Sequence, residues 1–214
     1  MYVAISGNIG SGKSTLTSLM AARYALRPVF EAVDENPYLQ DFYADMSRWA
    51  FHSQAFFLAR RLEQHLLQVN ASDRVIQDRT IYEDALVFAR NLRLSGNLDD
   101  RDWSTYQALY RAVTPALRAP GLLVYLDCSV STLEQRIAGR GRAYERSIPT
   151  AYLERLKVLY DEWVASYDLS PVLRVPGDRL DFVSDPEAFT WICAQVEALG
   201  LEPPVLDLDT EGLA

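Results

Sequence analysis

The stretch from Tyr2 to Thr15 constrains the fold of this chain more than any other. Val3-Ala4-Ile5 is an apolar run short enough for a buried strand, and Gly7, Gly12, Lys13 and Ser14 fit G-x-x-x-x-G-K-[ST]. Leu16, Leu19 and Met20 then open a helical apolar face. Strand, glycine loop and helix in this order are the context that a phosphate-binding loop, or P-loop, requires. The glycines let backbone N–H groups close around phosphate oxygens at the positive end of the following helix. Gly7, Asn8, Ile9, Gly10, Ser11, Gly12, Lys13, Ser14 and Thr15 are therefore expected to hold a nucleoside triphosphate. Lys13 would reach the β/γ-phosphates, and the Ser14 hydroxyl would ligate Mg²⁺.

The remaining chain supplies the sheet around that loop. Short apolar runs predict strands at Val29-Phe30, Val75–Gln77, Leu122–Leu126 and Val172–Val175. Helical patterns follow the first strand and then occupy Ser47–Val69, Ile81–Arg93, Asp99–Leu117, Ser131–Ala138, about Ile148–Tyr167 and Pro186–Leu199. Alternating strands and helices imply an α/β fold, a five-stranded parallel sheet with helices on both faces. Neither a repeat nor a linker interrupts the pattern, so residues 1–200 read as one domain and the acidic 201–214 as a loose tail.

Charge and composition exclude some partners. A net charge of −8 over 214 residues argues against a nucleic-acid polyanion, since affinity there comes from clustered Lys and Arg. A small nucleotide needs only a local basic pocket. Of the 21 basic residues only Lys13 and Lys157 are lysines, so the loop keeps the slim point charge that fits it. Cys128 and Cys193 are too few for a disulfide framework, which favours a reducing cytoplasm. No apolar run approaches the roughly 20 residues needed to span a membrane. The wide apolar face of the Ser47–Val69 helix is suited to burial on more than one side, one of which could be a homodimer interface.

In a parallel sheet, ligands sit at the carboxyl ends of the strands. Those ends bring the phosphate loop, Glu31, Asp78-Arg79 and Asp127 towards one triphosphate. Glu31 is the candidate general base, able to accept a proton from an attacking hydroxyl. Arg79 is the candidate clamp, and Lys13 would steady the moving phosphoryl group. Asp78 could hold Mg²⁺ with Ser14, but Asp127 equally resembles a strand-end metal acid. Arg136, Arg140, Arg142 and Arg146, interleaved with Gly139 and Gly141, read as an arginine-rich lid over about residues 136–149. His52 and His65 lie too far apart on their helix to pair on a metal and read as structural, as does Cys128.

Taken in order, several motifs resemble those of the deoxynucleoside kinases of the deoxycytidine, deoxyguanosine and deoxyadenosine branch, bacterial members in particular. They are Gly-Asn-Ile-Gly-Ser-Gly-Lys-Ser-Thr, the Glu31–Pro37 segment, Tyr43, the Arg48–Gln54 segment, the Asp78–Asp84 segment and the Arg136–Glu145 segment. The resemblance covers roughly residues 1 to 185. It implies a P-loop kinase-type fold, ATP as phosphoryl donor, Mg²⁺, and a deoxynucleoside accepting at its 5′-hydroxyl, with Glu31 as base. It further implies that Gln54 reads the base edge, that Tyr43 and Glu145 hold the sugar 3′-hydroxyl, and that Arg61 with Asp84 recognises cytosine or purine. Arg140 and Arg142 would act on phosphates, and Asp181-Phe182 would pack on the adenine of ATP; beside these, Phe51, Phe57 and Phe88 could form the apolar walls around the base. A homodimer in the cytoplasm is the family expectation. Three positions depart from the pattern: Thr80 where Ser is commoner, Asp78 where Glu is, and Tyr144 in place of an acid. Retaining Arg61 with Asp84 argues against a thymidine-type pocket, and overall likeness favours purine deoxynucleosides over deoxycytidine. A nucleoside-monophosphate kinase would share the loop and lid, but its anionic acceptor calls for cations rather than a base. A nucleotide-binding protein without transfer chemistry would have no use for Glu31.

Overall fold

The structure is a computed structural model that describes residues 1–31, 35–142, 145 and 148–203. Tyr144, Arg146 and most of the acidic C-terminal stretch lie outside the described residues. Five parallel strands form one sheet in the order β2-β3-β1-β4-β5. They are β1 (Tyr2–Gly7), β2 (Arg27–Val29), β3 (Val75–Asp78), β4 (Leu122–Asp127) and β5 (Val172–Pro176). β1 is central, with Ile5 opposite Asp78 of β3 and Gly7 opposite Leu126 of β4. The phosphate loop therefore leaves the middle of the sheet, with a carboxylate-bearing strand end on either side.

Alternation along the strands divides the interior into two cores, because successive side chains point to opposite faces. Val3, Ile5, Ile76, Val124 and Leu126 pack with helices α1 (Lys13–Tyr24) and α9 (Pro186–Ala198). Tyr2, Ala4, Val75, Leu123 and Tyr125 face the opposite layer of α3 (Met46–Gln64), α6 (Asp100–Val113) and α8 (Thr150–Ala165). A strand buried on both faces cannot slip by one residue without exchanging the two cores, so the register at Asp78 and the loop is firmly held.

Between these elements lie the short α2 (Leu39–Ala44) and α7 (Val130–Arg140). The Ile81–Arg93 pattern becomes α4 (Ile81–Glu83), a π-helical stretch (Asp84–Ala89) and α5 (Arg90–Leu94). One expectation shifts: the second strand is Arg27–Val29, not Val29-Phe30, and Phe30 is 42% exposed. Arg27-Pro28 looks like a break, but β2 is an edge strand pairing only with β3. Proline, which lacks an N–H, is tolerated at such an edge.

His65 and His52 part company on α3 and its continuation. His65 is fully buried, its Nε2 3.0 Å from the Arg118 carbonyl. His52 sits at the surface against Trp49. No helix of the described residues is long and apolar enough to cross a membrane.

Candidate active site

The turn after β1 is built on left-handed glycines. Gly12 caps α1 at φ 98°, and a Cβ there would stand 3.2 Å from Phe182 Cζ. Gly10, at φ 82°, lies against α7, where a Cβ would come within 2.8 Å of Ile137 Cγ1. Other residues would strain in these conformations. Lys13 is buried and its Nζ donates to the Asn8 carbonyl at 3.0 Å, while Asn8 Nδ2 ties the loop to Leu153 O of α8 at 3.1 Å. Burial, and next the Arg79 charge, push the Lys13 ammonium down to about 8, against the pull of Asp78, Glu31 and Glu83.

Across from the loop, the β3 end carries two functional side chains in a strained turn. Arg79 adopts φ 67°, a left-handed conformation that costs a non-glycine residue roughly 1–3 kcal/mol. Its N–H donates to Ile5 O at 2.9 Å, which continues the β1–β3 pairing past Asp78. Asp78 Oδ2 accepts from Ser14 Oγ at 2.5 Å, and Asp78 Oδ1 is buried with no hydrogen-bond partner among the described residues. Asp127, the other candidate metal acid, turns away from the loop. It pairs with Lys157 at 3.1 Å and Arg174 at 3.6 Å.

Glu31 stands beyond β2, its carboxylate 10% exposed. Oε1 accepts from Arg61 Nη2 at 3.0 Å and pairs with Arg79 Nη1 at 3.3 Å. Burial alone would raise its pKa; the charges of Arg79, Arg61 and Lys13 outweigh that and hold the carboxyl below its ordinary value. Arg61 also donates Nε to Asp84 Oδ2 at 3.0 Å, so one guanidinium bridges two carboxylates. The Arg79 guanidinium lies 4.2 Å above the Phe88 ring.

These groups open on one pocket of about 420 Å³ that runs from the loop to the acceptor side. From the loop, Ile9, Gly10, Gly12, Lys13, Ser14 and Thr15 line it, whereas Gly7, Asn8 and Ser11 shape the turn from behind. Glu31, Arg79, Tyr43, Gln54, Phe57, Asp84, Phe88 and Glu145 all reach its wall. Arg61 stands behind that wall, 2% exposed. α7 and the residues just after it contribute Arg136, Arg140 and Arg142. Arg136 donates to Ser11 O at 3.0 Å and Gly177 O at 2.8 Å, fastening α7 to the loop and the β5 end. Arg140 grips Glu145 through Nε at 3.0 Å. Gly141 ends α7 in the left-handed region, whereas Gly139 lies inside the helix.

Some placements differ from the residue-by-residue expectation. Phe182 is in the core against Gly12, and Asp181 folds back on its own turn, accepting from the Val183 and Ser184 N–H groups. Val183 is the residue of that segment at the pocket wall. Phe51 packs against the core rather than lining the pocket, and Leu39, Phe42 and Tyr152 line it without having been anticipated. Glu83 is another omission: fully buried, it accepts from Thr80 N at 3.0 Å and from Tyr160 OH at 2.8 Å. Its signal was available, for Thr80-x-x-Glu83 is the capping-box pattern and the structure forms that box.

The family described as "Deoxynucleoside kinase" matches residues 3–199. This chain belongs to the deoxynucleoside kinase family. It is accordingly a phosphotransferase. It is 34% identical over 199 residues to a deoxyadenosine/deoxycytidine kinase of Bacillus subtilis, covering 92% of each chain. A deoxyguanosine kinase of Lactobacillus johnsonii is 36% identical over 205 residues, covering 92% of this chain and 91% of the relative. Among solved structures, deoxyadenosine kinase from M. mycoides with bound dATP superposes with a TM-score of 0.81 at 30% identity, over 92% of this chain and 99% of that one. The architecture is that of the P-loop deoxynucleoside kinases.

Proposed function

We propose that this kinase transfers the γ-phosphoryl group of ATP to the 5′-hydroxyl of a deoxyribonucleoside and prefers purine deoxynucleosides. The observation that carries the reading is Glu31, an ionised carboxylate held by Arg61 and Arg79 at the wall of the pocket that also holds the phosphate loop. A hydroxyl acceptor needs such a base, and an acceptor phosphate would be repelled by it. Phosphoryl transfer runs mainly on positioning and charge stabilisation, which Lys13, Arg79 and the lid arginines Arg140 and Arg142 can supply.

On the acceptor side, Gln54 offers donor and acceptor atoms in one plane for a base edge. Phe57 and Phe88 provide apolar walls, and Tyr43 and Glu145 take the sugar. Arg61 acts through Asp84, which reaches the pocket wall itself. Purine preference rests on relatives named for deoxyadenosine and deoxyguanosine. Deoxycytidine is the second reading, favoured by the relative named for both deoxyadenosine and deoxycytidine. Adenine and cytosine both present an amino group beside a ring nitrogen.

Mg²⁺ fits the Ser14–Asp78 pair, because Asp78 Oδ1 is a buried oxygen beside the loop with no hydrogen-bond partner among the described residues. The ion would neutralise charge on the β- and γ-phosphates. Asp127, already engaged with two cations, is the poorer ligand. On the donor base, Val183 with the turn that carries Asp181 and Phe182 provides the contact surface. We further read the enzyme as a cytoplasmic homodimer joined through α3, whose continuation leaves Leu66 and Leu67 exposed. Incubation with ATP–Mg and the four deoxynucleosides tests the reading. Monophosphates from deoxyadenosine and deoxyguanosine are expected, and phosphorylation of nucleoside monophosphates alone would overturn it.

A further inference from the structure

Glu83 is a buried carboxylate with no assigned task beside the reaction centre. It is 0% exposed, does not line the pocket, and forms no ion pair among the described residues. Burying a charge in this way is costly unless hydrogen bonds and nearby opposite charges compensate. Both are present. Oε1 accepts from Thr80 N at 3.0 Å and Thr80 Oγ1 at 3.4 Å. Oε2 accepts from Tyr160 OH of α8 at 2.8 Å and, more distantly, from Gly7 N at 3.5 Å. Burial is the largest influence and raises its pKa above the ordinary carboxylate value; the charges of Arg79 and Lys13, then the Thr80 and Tyr160 hydrogen bonds, favour the ionised form and offset burial only in part.

A helix cap alone does not account for this arrangement. Thr80 and Glu83 satisfy the start of α4 through Oε1. Oε2 looks the other way, towards the first loop glycine and α8, where a neutral side chain would satisfy a cap equally well. We propose that Glu83 is a positioning residue for phosphoryl transfer: it joins the phosphate loop, the β3–α4 turn and α8, and supplies the counter-charge that keeps Lys13 and Arg79 seated behind the phosphates. The proposal rests on the kinase reading for the identity of those phosphates. It adds a link between donor and acceptor sides, since α4 runs directly into Asp84 and Phe88 of the pocket wall.

Three variants separate the charge from the cap. E83Q keeps an acceptor for Thr80 but removes the charge; Y160F keeps the charge and removes one donor; E83D keeps the charge on a shorter arm. Each is measured for thermal melting, for ATP–Mg affinity by calorimetry without nucleoside, and for the separate KM values of ATP and deoxynucleoside. E83Q is expected to weaken ATP about tenfold, about 1.4 kcal/mol, with a smaller change in the deoxynucleoside KM. E83D, which restores the charge, is expected to bind ATP within about threefold of wild type. Y160F should weaken ATP roughly threefold, as befits one hydrogen bond to a charged group acting through the loop. A folded E83Q with wild-type ATP affinity, or an E83D that binds ATP no better than E83Q, overturns the proposal. If E83Q does not fold, wild-type ATP affinity in Y160F overturns it instead. Because ATP binding is read without an acceptor, failure to phosphorylate any deoxynucleoside would defeat the kinase reading separately.

Discussion

Replacing Glu31 by glutamine separates catalysis from binding. The substitution keeps the shape and one acceptor oxygen but removes the charge that faces Arg61 at 3.0 Å and Arg79 at 3.3 Å. Arg61 retains Asp84 at 3.0 Å, so only Arg79 loses its main counter-charge. A hydrogen bond to a charged group is worth about 1.5–3 kcal/mol, which sets the expected loss of stability at the lower part of that range. Loss of a positioned base should cost about 10²–10⁴ in kcat, or roughly 3–5 kcal/mol of barrier. ATP meets the loop rather than Glu31, so its dissociation constant should change by less than about threefold, under 1 kcal/mol. Initial rates at saturating deoxyadenosine, calorimetric ATP binding and thermal melting together make the test. A well-folded E31Q that binds ATP normally and turns over within tenfold of wild type would refute the base assignment.

Other consequences follow from the same geometry. Lys13 titrates at about 8 in the folded protein against an ordinary 10.5, so the unfolded chain binds more protons between those values. Unfolding free energy of the ligand-free protein should therefore rise from about pH 8 to 10.5 by as much as about 3 kcal/mol; K13M should lack that rise in denaturant titrations, and an identical pH profile for both proteins would contradict it. For Glu31 the slope has the same sign but lies at the acid end. A depressed carboxyl stabilises the fold above its unfolded pKa and loses that contribution as pH falls through the folded value, so E31Q should show a weaker acid-induced loss of stability below about pH 4.5. D78N should weaken the apparent Mg²⁺ affinity in the kinase assay by about 10–100-fold while metal-free ATP binding persists; unchanged Mg²⁺ dependence would move the metal away from Asp78.

How much of this was legible beforehand depended on how local the cause was. The phosphate loop was, because its glycine φ angles, its strand and its helix are all set within residues 2–24. The strand ends were too, since short apolar runs and parallel order bring Asp78 beside the loop without any long-range information. Partnerships were legible only in part. The Arg61–Asp84 pair is implied by the resemblance, but that Arg61 also reaches Glu31 depends on how α3 docks over the sheet, and that Asp127 pairs with Lys157 depends on α8. Pro28 was misleading because a break and an edge strand look alike until the neighbours are known. The place of Phe182 was implied only by the resemblance; its ring is buried beside Gly12, and nothing local in the sequence says which way an aromatic after a strand will face. Glu83 shows that a local capping pattern can also place a charge deep in a reaction centre.

The claim that the acceptor is a 5′-hydroxyl, deprotonated towards Glu31, is tested most directly by its removal. Wild-type enzyme, labelled ATP and Mg²⁺ are incubated with deoxyadenosine or with its 5′-deoxy analogue, and the products are resolved and their phosphorus positions read by NMR. The account predicts 5′-monophosphate from deoxyadenosine and no phosphorylated product from the analogue. Label transferred to the analogue, or carried at the 3′-oxygen of deoxyadenosine, would contradict it.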